Sequence, residues 1–228
     1  MNILDLKGVK KTYQKGENEV HALAGIDLSI GAGEFLAVVG PSGSGKTTLL
    51  NIIGCLDIPT SGNVLYNGTE LGGMNEVGLS RYRKDNISFI FQSYNLIPVL
   101  TVRENVELPL VIEKNFTADE IKKRSLEIIE AVGLGTMADR LPRELSGGQE
   151  QRVAIARALV KKPIVVLADE PTANLDSVTA EEIIGLMHDV NEKFNATFVF
   201  STHDALVMKH ARRLVRLHDG RIESDERK

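Results

Sequence analysis

The sequence predicts an α/β fold, and three observations carry that prediction. Short apolar runs of strand type, at residues 35–39, 87–91, 164–170 and 196–201, are separated by stretches of helical character. The first run leads straight into Gly40-Pro41-Ser42-Gly43-Ser44-Gly45-Lys46-Thr47-Thr48, a glycine-rich loop that opens a helix. The other three runs close on polar residues: Gln92, Asp169-Glu170 and Thr202-His203-Asp204. Open α/β sheets gather ligands at such carboxyl ends of strands.

The chain of 228 residues is long enough for one sizeable core, and a single domain over 1–228 is expected. With 43% hydrophobic and 25% charged residues, the composition is that of a soluble globular protein without long disorder. The longest uncharged stretch, 86–102, contains Gln92, Asn95 and Pro98 and falls short of the roughly 20 apolar residues of a membrane span. Met1-Asn2-Ile3-Leu4-Asp5 shows no basic region followed by an apolar one, so no secretion signal is expected. Cys55 is the only cysteine, which rules out an internal disulfide and agrees with a reducing cytosol. A net charge of −4 and a pI near 5.8 offer no electrostatic footprint for nucleic acid.

Residues 3–30 read as two strands around the polar turn Gln14-Lys15-Gly16-Glu17-Asn18. Tyr13, just before that turn, is either half-exposed sheet packing or a face for a nucleobase; taken alone, the segment favours packing. The loop after the 35–39 run fits G-x-x-x-x-G-K-[ST] through Gly40, Gly45, Lys46 and Thr47. Successive backbone N–H groups can surround a triphosphate only where no Cβ intervenes, and Gly43 and Gly45 supply clearance. Lys46 brings a point charge to the outer phosphates, and the Thr47 hydroxyl is a hard ligand for Mg²⁺. The helix over 48–53 points its N-terminus at the same anion.

Next, Pro59-Thr60-Ser61-Gly62 and Asn67-Gly68 bracket a short strand over 63–66. Gln92 ends the 87–91 strand, either as an ordinary polar terminus or as an amide within reach of a metal and its water. Tyr94-Asn95-Leu96-Ile97-Pro98-Val99-Leu100 is apolar for a loop, either buried or a docking surface. Capping boxes at Thr101/Glu104 and Thr117/Glu120 start two helices, the second running to about Val132 before Gly133. Leu145-Ser146-Gly147-Gly148-Gln149 opens a helix to about Val160. That start is either a well-capped terminus or a second anion site of bare N–H groups, a hydroxyl and a helix dipole. Asp169 is placed to hold a Mg²⁺ shell, and Glu170 to polarise an attacking water. Residues 171–176 turn into a helix over 177–194. His203 lies at the end of the next strand, beside those carrying Gln92 and Asp169-Glu170. A hairpin is expected over 213–222 around His218-Asp219-Gly220, and a loose charged tail over 221–228.

Taken in order, the loop at 40–48, Gln92, Leu145-Ser146-Gly147-Gly148-Gln149, Asp169-Glu170, Asn174-Leu175-Asp176 and His203 resemble one family, the nucleotide-binding subunits of ABC transporters. The resemblance implies a phosphate-loop NTPase (RecA-like) core, about 1–92 and 161–228, with an N-terminal antiparallel β region. It also implies an inserted α-helical subdomain over about 93–160. It implies ATP bound by Tyr13 stacking on adenine and by Gly40, Pro41, Ser42, Gly43, Ser44, Gly45, Lys46, Thr47 and Thr48. Mg²⁺ would be held by Thr47, Gln92 and Asp169, and Glu170 and His203 would be catalytic. A head-to-tail homodimer is implied, with Ser146, Gly147, Gly148 and Gln149 of one chain facing the other chain's ATP.

Within the family, Gly54-Cys55-Leu56-Asp57-Ile58-Pro59-Thr60-Ser61-Gly62, Tyr94-Asn95-Leu96-Ile97-Pro98, Glu104-Asn105-Val106-Glu107-Leu108-Pro109-Leu110 and Gln149-Glu150-Gln151-Arg152 are similar to the lipoprotein-release and macrolide-export branch. Ala173 departs from the glycine frequent there. The branch implies four-span permease partners with a large extracytoplasmic domain, and a peripheral position on the cytoplasmic face of the inner membrane. An alternative is an FtsE-like ATPase that transmits force to cell-wall enzymes without transport. A non-transporting ATPase acting on DNA or ribosomes is disfavoured, because residues 93–144 hold no heptad array and no motif repeats.

Overall fold

The computed structural model describes residues 2–16 and 18–228. Its strands form two sheets. β1 (Asn2–Lys15), β2 (Asn18–Gly31), β4 (Ser61–Tyr66) and β5 (Thr69–Glu70) make an antiparallel sheet in the order β2-β1-β4-β5. β3 (Phe35–Val39), β6 (Ile87–Ile90), β7 (Val165–Asp169), β8 (Thr197–Thr202), β9 (Arg213–His218) and β10 (Arg221–Arg227) make the second, in the order β10-β9-β3-β8-β7-β6. β9, β3, β8, β7 and β6 run parallel, and β10 is an antiparallel edge. The helices are α1 (Lys46–Ile53), α2 (Glu76–Asn86), α3 (Val102–Glu113), α4 (Ala118–Ala131), α5 (Gly147–Leu159), α6 (Ser177–Phe194) and α7 (Ala205–His210). None is long and apolar enough to cross a membrane among the described residues.

The parallel strands read as unbroken apolar runs because both faces of their sheet are covered. Along β3, Phe35, Ala37 and Val39 enter one core with Ile90, Val166, Ala168, Phe198 and Phe200. Leu36 and Val38 enter the other with Ile87, Val165, Leu167 and Val199. The first core is closed by α3 through α7, with Val106, Ile129, Ile155, Ile184 and Val207. The second is closed by the antiparallel sheet and α1, with Leu4, Leu6, Ile26, Leu49 and Ile53. Successive residues of a strand point to opposite faces, so each run serves both cores.

Both expected capping boxes form, at Thr101/Glu104 and Thr117/Glu120, and the start at Ser146 is capped in the same way with Gln149. Two helices were not legible. α2 buries only Leu79, and α7 is six residues long, so neither shows an apolar face of useful length. The turn expected at 14–18 includes Glu17, outside the described residues.

The loose tail expected over 221–228 is corrected: residues 221–227 form β10, paired along β9. The charges that suggested looseness are its anchors. The buried Arg213 guanidinium donates to both Asp225 oxygens at 2.7 Å and to Glu34 Oε2 at 2.8 Å, and Lys228 N–H donates to the Arg212 carbonyl at 2.9 Å. The apolar loop 94–100 is only partly buried: Leu96 packs on the helix-side core, while Val99 is 78% exposed.

Candidate nucleotide site

Parallel pairing fixes which side chains share a rim. Val39 lies opposite Thr202, Asp169 opposite Ser201, and Ile90 opposite Ala168. The residues that follow, Gly40, His203, Glu170 and the nearby Gln92, therefore leave the sheet at the same end.

A cleft of about 670 Å³ opens there, a volume suited to a small-molecule ligand. It is lined by Val20, His21 and Ala22 of β2, by the glycine-rich loop, and by Asp169, Glu170, Ser201 and His203. The two loop glycines act differently. Gly43, at φ 81°, faces open space, so the absent side chain clears the ligand's place. At Gly45, φ 104°, a Cβ would sit 2.5 Å from the Ala22 carbonyl oxygen, so what it clears is the protein's own backbone. Lys46 Nζ donates to the Gly40 and Pro41 carbonyls at 2.8 and 3.0 Å, a donor spanning the loop. Ser44 turns inward: its Oγ is buried without a partner, and its carbonyl accepts from Gly220 N–H at 3.0 Å.

Glu170 is held in a left-handed conformation, φ 46°. Its N–H donates to the Ser201 carbonyl at 2.9 Å. Thr202 Oγ1 donates to Glu170 Oε2 at 3.0 Å, and His203 Nδ1 lies 2.5 Å from Oε1. The structure thus joins the two expected catalytic residues directly, while the His203 ring stays 78% exposed. Thr47 and Asp169 also line the cleft, offering a hydroxyl and a carboxylate. No group of three or more His, Cys, Asp or Glu suited to a metal occurs among the described residues.

Ser44, turned inward, and three further expected features lie outside the cleft lining. Gln92 donates through Nε2 to Asn174 Oδ1 at 3.3 Å, and Asn174 Nδ2 donates back to the Gln92 carbonyl at 2.9 Å. This latches the loop after β6 to the turn before α6. Ser146, Gly147, Gly148 and Gln149 form the N-terminus of α5, where Ser146 N–H donates to Gln149 Oε1 at 2.9 Å. Tyr13 stands at the rim, its hydroxyl donating to Asp57 Oδ2 at 2.6 Å. Burial first, then the hydrogen bond and charge of Asp57, raise its phenol above the ordinary range against a lowering contact with Thr48.

Sequence reading missed several contributors. Val20, His21 and Ala22 reach the cleft only because β2 folds over the loop. Gln151, fully buried on α5, donates through Nε2 to the Pro171 carbonyl at 2.7 Å, next to Glu170. Arg157 donates to the Tyr94 and Asn95 carbonyls, each at 2.6 Å. A glutamine on the apolar side of a helix was the one available signal.

Residues 23–173, more than half of the chain, match the ABC transporter family. The chain is 46% identical over 228 residues to the uncharacterised ABC transporter ATP-binding protein MJ0796 of Methanocaldococcus jannaschii, covering 99% of this chain and 97% of that one. It is 44% identical over 222 residues to the lipoprotein-releasing system ATP-binding protein LolD of Anaeromyxobacter dehalogenans, covering 97% and 93%. Against the macrolide export ATP-binding/permease protein MacB of Bdellovibrio bacteriovorus it is 44% identical over 226 residues, 99% of this chain but 34% of that protein. Among solved structures, a dimeric post-hydrolysis state of MJ0796 bound to ADP and Pi superposes with a TM-score of 0.86 at 46% identity, covering 98% of each chain. A CbiO subunit from Clostridium perfringens gives 0.90 at 30% identity, covering 99% of this chain and 88% of that one. With its phosphate loop, strand-end acids and capped Leu-Ser-Gly-Gly-Gln helix in one fold, the chain belongs to the ABC transporter family, as an ATP-binding and ATP-hydrolysing subunit of the LolD and MacB type.

Proposed function

We propose that this subunit closes head to tail with a second copy over two ATP molecules and drives membrane subunits of an export or lipoprotein-release system. One observation carries the reading. The cleft holds the glycine-rich loop, Asp169, Glu170 and His203, yet none of Ser146, Gly147, Gly148 or Gln149 lines it. A second set of anion-facing N–H groups at the start of α5 finds a use on another chain's ATP. The MJ0796 cassette, 46% identical, is itself dimeric in two solved structures, which supports a second copy as the partner.

In this reading Tyr13 stacks on the base, and the free backbone N–H groups within residues 40–48, where Pro41 has none, act with the Lys46 ammonium to hold the phosphates. Thr47 and Asp169 hold Mg²⁺, which offsets charge building on the phosphates, and Gln92 reports on that site. Glu170 accepts a proton from the water attacking the γ-phosphate, while His203, sharing that carboxylate, orients it. Residues of about 1–92 and 161–228 act as the core, and about 93–160 as a helical subdomain. The partners are four-span permeases with a large extracytoplasmic domain, engaged from the cytoplasmic face of the membrane.

Glu170→Gln tests this. ATP should still bind, turnover should fall about 10²- to 10⁴-fold, and light scattering should show an ATP-dependent dimer. A protein that binds ATP and stays monomeric overturns the dimer. Capture of the ATP-loaded variant from detergent-solubilised native membranes, followed by mass spectrometry, should recover a four-span subunit. A many-span importer with a binding protein overturns the branch.

A further inference from the structure

Tyr13 lies opposite Val20 in the β1–β2 ladder, and directly opposed residues of an antiparallel pair share a face. Val20 lines the cleft, so the Tyr13 ring, 37% exposed, stands on the cleft side of its rim. Its pose is set by more than packing. The hydroxyl donates to Asp57 Oδ2 at 2.6 Å. Lys11 Nζ, which donates to Asp57 Oδ1 at 2.5 Å and to the Ile58 carbonyl at 2.8 Å, lies over the ring 4.9 Å from its centroid.

Asp57 is itself fixed: Oδ1 accepts from Ile58 N–H at 2.7 Å, and its own N–H donates to the Asn51 carbonyl of α1 at 3.2 Å. One residue thus ties the ring, through its carboxylate, to the far end of the helix whose N-terminus carries the phosphate loop, through its backbone N–H. Burial raises the Asp57 carboxyl, but donation from Lys11, Tyr13 and Ile58 outweighs it and leaves the group below the usual range.

We infer that Asp57 is a positioning residue for the nucleobase: it clamps Tyr13 and Lys11 so that the ammonium backs one face of the ring and the other face is presented to the base. The inference rests on the reading of Tyr13 as the base platform. With its hydroxyl committed to Asp57, Tyr13 offers the base its π-face rather than a hydrogen bond.

The test compares ATP with inorganic tripolyphosphate, which keeps the phosphates and lacks the base. Tyr13→Ala should weaken ATP about tenfold or more and leave tripolyphosphate inhibition unchanged, as loss of a base-stacking aromatic does. Asp57→Ala should raise KM for ATP about five- to tenfold with kcat unchanged, and should add nothing in the Tyr13→Ala background, as expected for residues that act as a unit. Tyr13→Phe, which removes only the hydroxyl, should show the same selectivity and serves if Asp57→Ala does not fold. If Tyr13→Ala leaves ATP untouched, the stacking reading falls and takes this inference with it. If Tyr13→Ala weakens ATP and neither Asp57→Ala nor Tyr13→Phe does, the positioning inference alone falls. Equal loss of ATP and tripolyphosphate in Asp57→Ala would show that Asp57 only holds α1 in place, which also overturns it.

Discussion

A glutamate at φ 46° is strained by about 1–3 kcal/mol, and such a pose persists only where its surroundings over-determine it. At Glu170 they do. Its N–H is bonded to Ser201, its carbonyl accepts from Ala173 N–H at 3.2 Å, and its two carboxylate oxygens meet Thr202 and His203. The strain aims the carboxylate across the sheet end into the cleft instead of along the chain. Since His203 Nδ1 takes one carboxylate oxygen, the imidazole governs how that oxygen meets water. His203→Ala should therefore lower kcat about 10²-fold or more while ATP binding persists, because the phosphate loop makes no use of the ring. Single-turnover hydrolysis alongside equilibrium ATP binding checks both halves. The strand-end positions of Glu170 and His203 were legible in the sequence; their contact was not, because it depends on the register of β7 against β8.

α5 links the turn after Glu170 to the loop after β6. Its N-terminus carries Ser146 through Gln149, Gln151 holds the turn after Glu170, and Arg157 holds the carbonyls of Tyr94 and Asn95, both at positive φ. Burial lowers the Arg157 guanidinium from its ordinary range, and no carboxylate pairs with it among the described residues. Desolvating a charge in this way is tolerated when a planar fork fixes two consecutive carbonyls. Gly148 sets how closely α5 meets α6: a Cβ there would lie 2.5 Å from Thr179 Cγ2. Gly148→Ala should push the first turn of α5 off α6 and reduce ATPase about tenfold or more, since a misplacement near 1 Å can cost as much as a hundredfold. ATP binding to the chain's own loop should persist. Thr179→Ser removes that methyl and keeps the hydroxyl that donates to Asp176 at 2.6 Å, so Gly148→Ala with Thr179→Ser should recover much of the activity. No recovery would mean that steric room is not what Gly148 supplies.

For the molecule as a whole, the last strand is structural. β10 closes the edge of the parallel sheet, and the turn before it reaches the nucleotide loop through Gly220 N–H to the Ser44 carbonyl at 3.0 Å. Arg213 joins β9, β10 and the start of β3 through Asp225 and Glu34. Hydrogen bonds from Arg213 hold the Asp225 carboxyl below its ordinary range against the opposing effect of burial. With the folded value depressed, this stabilisation is fully present above about pH 4, the unfolded carboxylate value, and is lost as pH falls through the folded value. Asp225→Asn should lower the thermal midpoint at pH 7, and the gap from the parent should narrow at about pH 3. A gap that stays constant with pH would remove the ion pair as its cause.

The sequence by itself determined the strands that bury both faces, the phosphate loop between strand and helix, the helix caps, and the polar residues closing each strand. Each of these is a property of neighbouring residues: a period, a cap, or a loop whose chemistry is complete within nine positions. Only the tertiary structure decided that Glu170 meets His203, 33 positions away, and that Asp57 holds Tyr13 from 44 positions away. It also decided that the start of α5 stays out of the cleft and that the charged tail is a strand. Those outcomes depend on strand order, register and the partners that buried charges find, which no local pattern carries.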